Sequence, residues 1–309
     1  MRRLDSPHGL ALLLVLCVAP PSLSEGGVSR DDEFSDGLVA DVAQLIQPSN
    51  QDRLNALLAL LQQRRLKFET QPFRSEKQEG EAPAEGKNVV LSFGSGDRAL
   101  VVGAHFDAAR MPGGQLSAGV VDNAASVVIL TRVAEALTRL TLRHQVKVVM
   151  FDMEEAGLVG SKHFVASLDA SRVAAMINLD VAAYGDTLIF GPADHPGNQT
   201  VYAALREVCA EHDFSCLAFP KFPVGDDRSF QAAGVPNVSL AVLPGLEAHQ
   251  LWLLLNGGQE SGLREGFLPA ILRTIHQPED TISKLDPKGM TLAFQSVLRL
   301  VTLLDSTLN

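Results

Sequence analysis

Apolar and polar positions along the chain follow two different periodicities. Residues 36–47 and 51–64 carry apolar side chains at spacings of three and four, which predicts two helices near the beginning of the sequence. A polar loop at 74–87 follows, and after it short apolar runs rich in β-branched residues predict buried strands. These runs are NVVLSF, RALVVGAHFD, QVKVVMFD, AAMINLDV, TLIFG and PNVSLAVL, at residues 88–93, 98–107, 145–152, 174–181, 187–191 and 236–243.

Segments with helical spacing separate most of these strands. They lie at residues 123–140, 160–168, 201–212 and 227–234, and a last helix is predicted at 288–304. Alternation of strands and helices is typical of an α/β fold in which helices cover both faces of one sheet. We therefore predict a single α/β domain, a three-layer sandwich built on a mostly parallel mixed sheet.

Composition and charge narrow the classes of protein that remain. The chain has 309 residues, of which 46% are hydrophobic, so it can bury a sizeable core. Its formal net charge of −10, without a block of Lys and Arg, argues against a nucleic-acid partner. We expect the mature protein to be a monomer.

The N-terminus has the layout of a secretory signal peptide. A positive MRR precedes the apolar LALLLVLCVA, and the helix-breaking PPSLSE follows it. We predict a signal peptide at 1–24 and a mature domain at 25–309 that is secreted or periplasmic; the alternative is an uncleaved membrane anchor. No later segment is long and apolar enough to span a bilayer, so we expect no membrane contact after cleavage.

Two cysteines remain after removal of that segment. In an oxidising compartment Cys209 and Cys216 are predicted to form a disulfide that closes a small loop, with two free thiols as the alternative. Glycosylation sequons begin at Asn198 and Asn237, and the second lies inside a predicted strand, where we do not expect it to be used.

Acidic residues and histidines gather at the ends of several predicted strands. The carboxyl ends of parallel strands meet at one edge of a sheet, where α/β folds place their sites. Taken alone, each has an ordinary explanation, such as a hydrogen-bonded core histidine or a helix N-cap. Taken together they would repel one another unless cations were bound, and zinc suits mixed nitrogen and oxygen ligands. The strand ends carry His105, Asp107, Glu154, Glu155 and Asp180, while Asp122 lies just before a predicted helix and His276 ends a late apolar run.

The other histidines join this cluster less readily. One of them, His249 in LEAHQLW, is kept as a further candidate for the pocket. The rest lie in predicted helices or turns and are expected at the surface: His144, His163, His195 and His212.

Five motifs make the sequence resemble the zinc exopeptidases of peptidase family M28, the aminopeptidase Y type. The resemblance covers roughly residues 85–306 and implies two zinc ions per chain, bridged by Asp122. It further implies that Glu155 and His276 complete one ion's ligands, and His105 and Asp180 the other's. The motifs are GAHFDA, GVVDNAAS, DMEEAGLVGSKHF, NLDVAAYGD and HQPEDTISKLD.

The resemblance also divides the adjacent glutamates between two roles. It makes Glu154 the general base and Asp107 the partner that orients His105, while Glu155 binds metal. In that reading Glu154 takes the proton from a metal-activated water and passes it to the leaving amine.

An exopeptidase that acts on free amino termini is the expected activity. A carboxypeptidase generally needs a cation for the substrate carboxylate, whereas these strand ends offer acids and histidines that suit an α-ammonium group. Two alternatives stay open: a glutaminyl-cyclase-like acyltransferase with one zinc ion, and a non-catalytic binding domain on the same fold.

The sequence departs from the family pattern in two places. In VGDDRSFQAAGVP, Gly225 and Asp227 stand where many relatives have Ser and His, and Asp226 is a candidate for shaping the pocket. An extra stretch from Gly245 to Leu272 contains the only tryptophan, Trp252, and is either a lid over the cleft or a surface excursion.

Overall fold

The computed structural model describes residues 30–75, 84–211, 215–257 and 268–308. The predicted signal peptide at 1–24 and His212 lie outside these residues, so export stays a prediction. The strands are β1 (Glu69–Arg74), β2 (Glu85–Phe93), β3 (Ala99–His105), β4 (Gln145–Phe151), β5 (Val173–Leu179), β6 (Thr187–Gly191), β7 (Ser215–Ala218) and β8 (Asn237–Leu243). The helices are α1 (Arg30–Gln44), α2 (Asn50–Gln63), α3 (Ala125–Leu137), α4 (Val159–Ala166), α5 (Gln199–Glu211), α6 (Asp227–Ala232), α7 (Gly245–Asn256) and α8 (Pro287–Thr307).

The eight strands of the described residues belong to one mixed sheet in the order β1-β2-β4-β3-β5-β8-β6-β7. The four central strands β4, β3, β5 and β8 run parallel to one another. Strand β2 is antiparallel to both of its neighbours, and β6 is antiparallel to β8 but parallel to β7. The prediction of a mostly parallel mixed sheet is therefore confirmed, and the carboxyl ends of the central strands share one edge.

Both faces of the sheet are covered, as the continuous apolar runs required. Strands β3, β5 and β8 are buried along their whole length. Successive side chains of β3 point to opposite faces: Val102 belongs to the larger core with α1, α2, α3, α5 and α8, and Val101 to a smaller one. In that second core Phe164 of α4 and Phe230 of α6 pack on the sheet.

Strand β1 and helix α7 were missed by the sequence prediction. Strand β1 was not predicted, because this edge strand is largely exposed and contains Pro72, so it has no apolar alternation. Its pairing of Arg74 with Glu85 starts β2 inside the predicted loop 74–87. Helix α7 forms at the start of the stretch from Gly245 to Leu272, for which the sequence analysis proposed no helix.

The prediction that His144 lies at the surface is wrong. This side chain is 8% exposed, and its Nδ1 lies 3.2 Å from Oδ1 of Asp305 in α8. The local sequence RLTLRHQ suggests a polar turn, whereas in the fold the His144 backbone N–H and ring both contact the carboxylate of Asp305 in α8.

The predicted disulfide between Cys209 and Cys216 is present and joins the end of α5 to β7. Both sequon asparagines are fully buried, and the N–H of Asn237 donates to Oδ1 of Asn198 at 2.8 Å. Neither amide is accessible to a glycosylating enzyme in the folded chain. Across the described residues, no helix has both the length and the hydrophobicity to cross a membrane.

Candidate active site

The predicted site residues converge at the carboxyl edge of the parallel strands. His105 is the last residue of β3, and Asp180 directly follows β5. The glutamates Glu154 and Glu155 follow β4, and Asp122 lies in the turn that leads into α3. His276 reaches the same edge from the segment between α7 and α8.

Among the described residues three groups of side chains could hold a metal ion: one is His105, Glu154 and Glu155, and the other two share the carboxylate of Asp122. In the first of these two, Nε2 of His105 lies 3.0 Å from Oδ1 of Asp122 and 3.6 Å from Oδ1 of Asp180. In the second, Nε2 of His276 lies 3.1 Å from Oδ2 of Asp122 and 3.1 Å from Oε2 of Glu155. Within each group the ligand atoms lie within 4.8 Å of one another. The two oxygens of Asp122 therefore face different groups.

The chemistry of this donor set fits divalent cations. Oε1 of Glu155 and Oδ1 of Asp180 are buried and have no hydrogen-bond partner among the described residues. Burial raises the pKa of both carboxyl groups, and the negative charge of Asp122 adds to each shift. Unpartnered buried oxygens are costly, and mixed imidazole and carboxylate ligands suit zinc.

Asp107 contacts both halves of the site. Nδ1 of His105 lies 3.2 Å from the backbone carbonyl oxygen of Asp107 and 3.4 Å from its Oδ1, so Asp107 faces this ring nitrogen with both groups. Its carboxylate also accepts the backbone N–H groups of Glu154 and Glu155 at 3.0 and 3.2 Å. Asp107 therefore positions the paired glutamates as well as the histidine, which the sequence did not indicate.

Asp280 is a site residue to which the sequence analysis assigned no role. Its buried carboxylate accepts the backbone N–H groups of Val120, Val121 and Asp122 at 3.0, 2.6 and 3.2 Å. Because Asp280 follows His276 closely in the chain, it ties the His276 segment to the turn that carries Asp122. The motif HQPEDT contains this residue, but its partner is distant in sequence.

Backbone strain is concentrated around these ligands. Met153, Val181 and His276 have φ values of +57°, +60° and +60°, a left-handed conformation that costs free energy for residues other than glycine. Met153 precedes Glu154, and Val181 follows Asp180. Such strain is typical of functional sites, where the surrounding structure holds a side chain in a required direction.

The cluster borders two cavities of different character. The first has a volume of about 180 Å³ and an apolar wall that includes Phe222, Val224 and Ile271, with Glu154 and Asp180 at its polar end. The second, of about 650 Å³, is lined by more polar groups and shares Glu155 and His276 with the first. Its polar lining includes Asn50, Gln51, Glu85, Arg110 and Asp152.

The extra stretch from Gly245 to Leu272 forms part of the apolar wall through Leu251 and Leu272. Residues 258–267 lie outside the described residues, so both alternatives, a lid and a surface excursion, stay predictions. Trp252 donates its indole N–H to the carbonyl of Ala218 at 3.0 Å. His249 is exposed on α7 with Nδ1 2.7 Å from the Gly245 carbonyl, outside the lining of both cavities.

The glycine at position 225 has a steric explanation. A Cβ there would lie 3.0 Å from Nδ2 of Asn178 and 3.3 Å from Oδ2 of Asp180, so glycine lets this loop approach the Asp180 carboxylate. Asp226 and Asp227 are both buried, and burial raises the pKa of each to about 7. Neither belongs to the residues that line the apolar cavity.

Three solved structures have a similar fold. A zinc aminopeptidase from Bacillus subtilis is 20% identical with a TM-score of 0.56, and the match covers 71% of this chain and 50% of that chain. An aminopeptidase from Aneurinibacillus sp. strain AM-1 is 14% identical with a TM-score of 0.67, and the match covers 88% of this chain and 93% of that chain. Fimbriiglobus ruber glutaminyl cyclase is 18% identical with a TM-score of 0.67, and the match covers 92% of this chain and 99% of that chain. At these identities the similarity shows the fold alone.

Sequence comparisons are more specific. A probable leucine aminopeptidase 2 from Aspergillus fumigatus is 30% identical over 101 residues, which are 31% of this chain and 19% of that protein. The chain thus aligns with about a fifth of the curated relative's length. The model of peptidase family M28 matches residues 88–301, which is more than half of the sequence and includes the six clustered acids and histidines from His105 to His276 together with Asp107. The chain therefore belongs to peptidase family M28.

Proposed function

We propose that this protein is a zinc-dependent aminopeptidase that removes single residues from the free amino termini of peptides. The observation that carries the proposal is the position of the Asp122 carboxylate between two ligand groups. One of its oxygens faces His105 in the first group, and the other faces His276 in the second. Membership of a peptidase family and the fold shared with named zinc aminopeptidases support it.

Two zinc ions per chain are proposed. Asp122, Glu155 and His276 would hold one, and His105, Asp122 and Asp180 the other. Zinc bound there would polarise the scissile carbonyl and lower the pKa of a water molecule in the site.

Glu154 is the proposed general base. It lines the apolar cavity, and a carboxylate oxygen of its side chain lies within 4.8 Å of ligand atoms of His105 and Glu155. Asp107 holds its backbone N–H, so the side chain projects from a fixed turn. From that position the carboxylate can take a proton from the attacking water and deliver it to the leaving amine.

The two cavities suggest how a peptide would lie. The α-ammonium group would meet the carboxylates of Glu154 and Asp180, and the first side chain would enter the apolar cavity of about 180 Å³. The remainder of the peptide would lie in the second, more polar cavity of about 650 Å³. We also propose that residues 1–24 direct export and that the mature enzyme works outside the cytoplasm.

We expect hydrolysis of leucyl anilide and no hydrolysis of its N-acetylated form, because acetylation removes the charge that the carboxylates attract. Release of the aniline measures both rates. A peptide digest followed by mass spectrometry should give a ladder shortened from the N-terminus. Comparable rates on the acetylated substrate, or shortening from the C-terminus, would contradict the proposal.

Glutaminyl cyclisation is the competing function, because Fimbriiglobus ruber glutaminyl cyclase and the Aneurinibacillus aminopeptidase match the fold of this chain with the same TM-score of 0.67. A peptide with N-terminal Gln separates the two activities. An aminopeptidase releases free glutamine and a shortened peptide, whereas a cyclase releases ammonia and leaves a pyroglutamyl peptide of unchanged residue number. Metal analysis adds a second test, with two zinc ions per chain expected here and one under the cyclase alternative.

A further inference from the structure

Arg53 in helix α2 is a buried arginine that lies before residue 88, where the family match begins. The residue is 1% exposed. Its Nε donates to the carbonyl of Phe106 at 2.7 Å, and its two terminal nitrogens donate to the carbonyls of Ala118 and Gly119 at 2.8 and 3.1 Å. One guanidinium group therefore joins two separate loops.

These carbonyls belong to the segments that carry proposed metal ligands. Phe106 lies between His105 and Asp107, and Gly119 lies three residues before Asp122. A guanidinium is planar and presents its donors in a fixed geometry, so it restrains the distance between the two segments more tightly than a flexible lysine would.

A second residue of the same helix supports the same loop. The side-chain amide of Asn50 accepts the N–H of Ala108 at 2.9 Å and donates to the Ala108 carbonyl at 3.3 Å. Helix α2 thus holds the segment after β3 at two points, through Arg53 and Asn50.

The charge of Arg53 also matches its surroundings. Burial lowers its pKa to about 10, and the nearby carboxylates of Asp107 and Asp280 oppose that shift. The side chain is therefore protonated at neutral pH and lies close to the acids of the site.

We infer that α2 is part of the metal-holding scaffold and that Arg53 is a positioning residue, which keeps His105 and Asp122 at the separation that bound zinc requires. The inference rests on the proposed zinc-dependent function. The hydrogen bonds of Arg53 go to backbone carbonyls, so it acts through the loops that present the ligands.

Arg64, at the end of the same helix, provides a matched control. Its guanidinium pairs with Glu135 of α3 at 3.0 Å and with Asp41 of α1, and these partners are not site residues. If Arg53 serves only the packing of α2, conservative changes at both arginines should affect stability and leave zinc binding unchanged.

The experiment compares Arg53→Lys and Arg64→Lys with the wild-type protein. Zinc affinity is measured by competition with a chromogenic chelator, and stability by urea unfolding of the metal-free protein. Arg53→Lys should lower zinc affinity by about 10–100-fold, the usual effect of changing a group that orients metal ligands. Arg64→Lys should keep zinc affinity within about twofold of the wild type, even if its urea unfolding midpoint falls as far as that of Arg53→Lys.

Asn50→Ala serves as a second variant should Arg53→Lys fail to fold, since it removes only the two partly buried contacts to Ala108. It should lower zinc affinity in the same direction by a smaller factor. Wild-type zinc affinity in Asn50→Ala and in any folded Arg53→Lys would overturn the inference alone. A wild-type protein that binds no zinc would overturn the proposed function together with it.

Discussion

Replacing Glu154 with glutamine should leave zinc bound and lower kcat by about 10²–10⁴-fold, the usual contribution of a general base. Glutamine has nearly the same shape but cannot accept the proton of the attacking water. The contacts of Asp107 go to the backbone N–H groups of Glu154 and Glu155, so the turn should keep its conformation in the variant. Steady-state kinetics on leucyl anilide, with metal analysis of the same sample, measure both effects.

Glu155→Gln is the matched control at the neighbouring position. Oε2 of Glu155 lies 3.1 Å from Nε2 of His276, so this change should weaken zinc binding as well as activity. Zinc-loaded Glu154→Gln with turnover like that of the wild type would show that another group accepts the proton. Loss of zinc from Glu154→Gln would assign this residue to the ligands instead.

Asp122→Asn should have the largest effect on metal binding, because this carboxylate belongs to both ligand groups. An amide has a single acceptor oxygen and no negative charge, so it cannot serve two cations. We expect zinc affinity to fall by more than the about 10–100-fold that changes behind the ligands produce. Activity should fall below detection at zinc concentrations that saturate the wild-type protein.

Asp180→Asn is the control that distinguishes the shared role of Asp122 from the mere loss of one negative charge in the site. Asp180 lies with His105 and Asp122 in one group only, so this variant should keep one zinc ion per chain in the other group. Titration of metal-free protein with zinc, followed by the number of ions bound, distinguishes the variants. Two ions bound by Asp122→Asn with near wild-type affinity would exclude a bridging carboxylate.

The larger part of the fold could be predicted from the sequence because burial on both faces of the sheet demands continuous apolar runs. Strands β3, β5 and β8 are fully buried and coincide closely with such runs. The exposed edge strand β1 has no such demand, so nothing in its sequence marks it. Helix α7 was missed because its apolar residues serve two surfaces, a cavity wall at Leu251 and solvent at Leu246.

The candidate site divides in the same way. By itself, the sequence determined which acids and histidines end or follow the strands, since a parallel sheet brings the carboxyl ends of its strands together. These residues are His105, Glu154, Glu155 and Asp180. Asp122 and His276 reach the same edge from a turn and from the segment before α8. Only the tertiary structure decided which groups support them. Asp280 reaches the turn before α3, and Arg53 reaches both the loop after His105 and the loop before Asp122. All these contacts join residues that are far apart in the chain. Hydrogen bonds of this kind depend on where loops meet in space, and local periodicity carries no information about that.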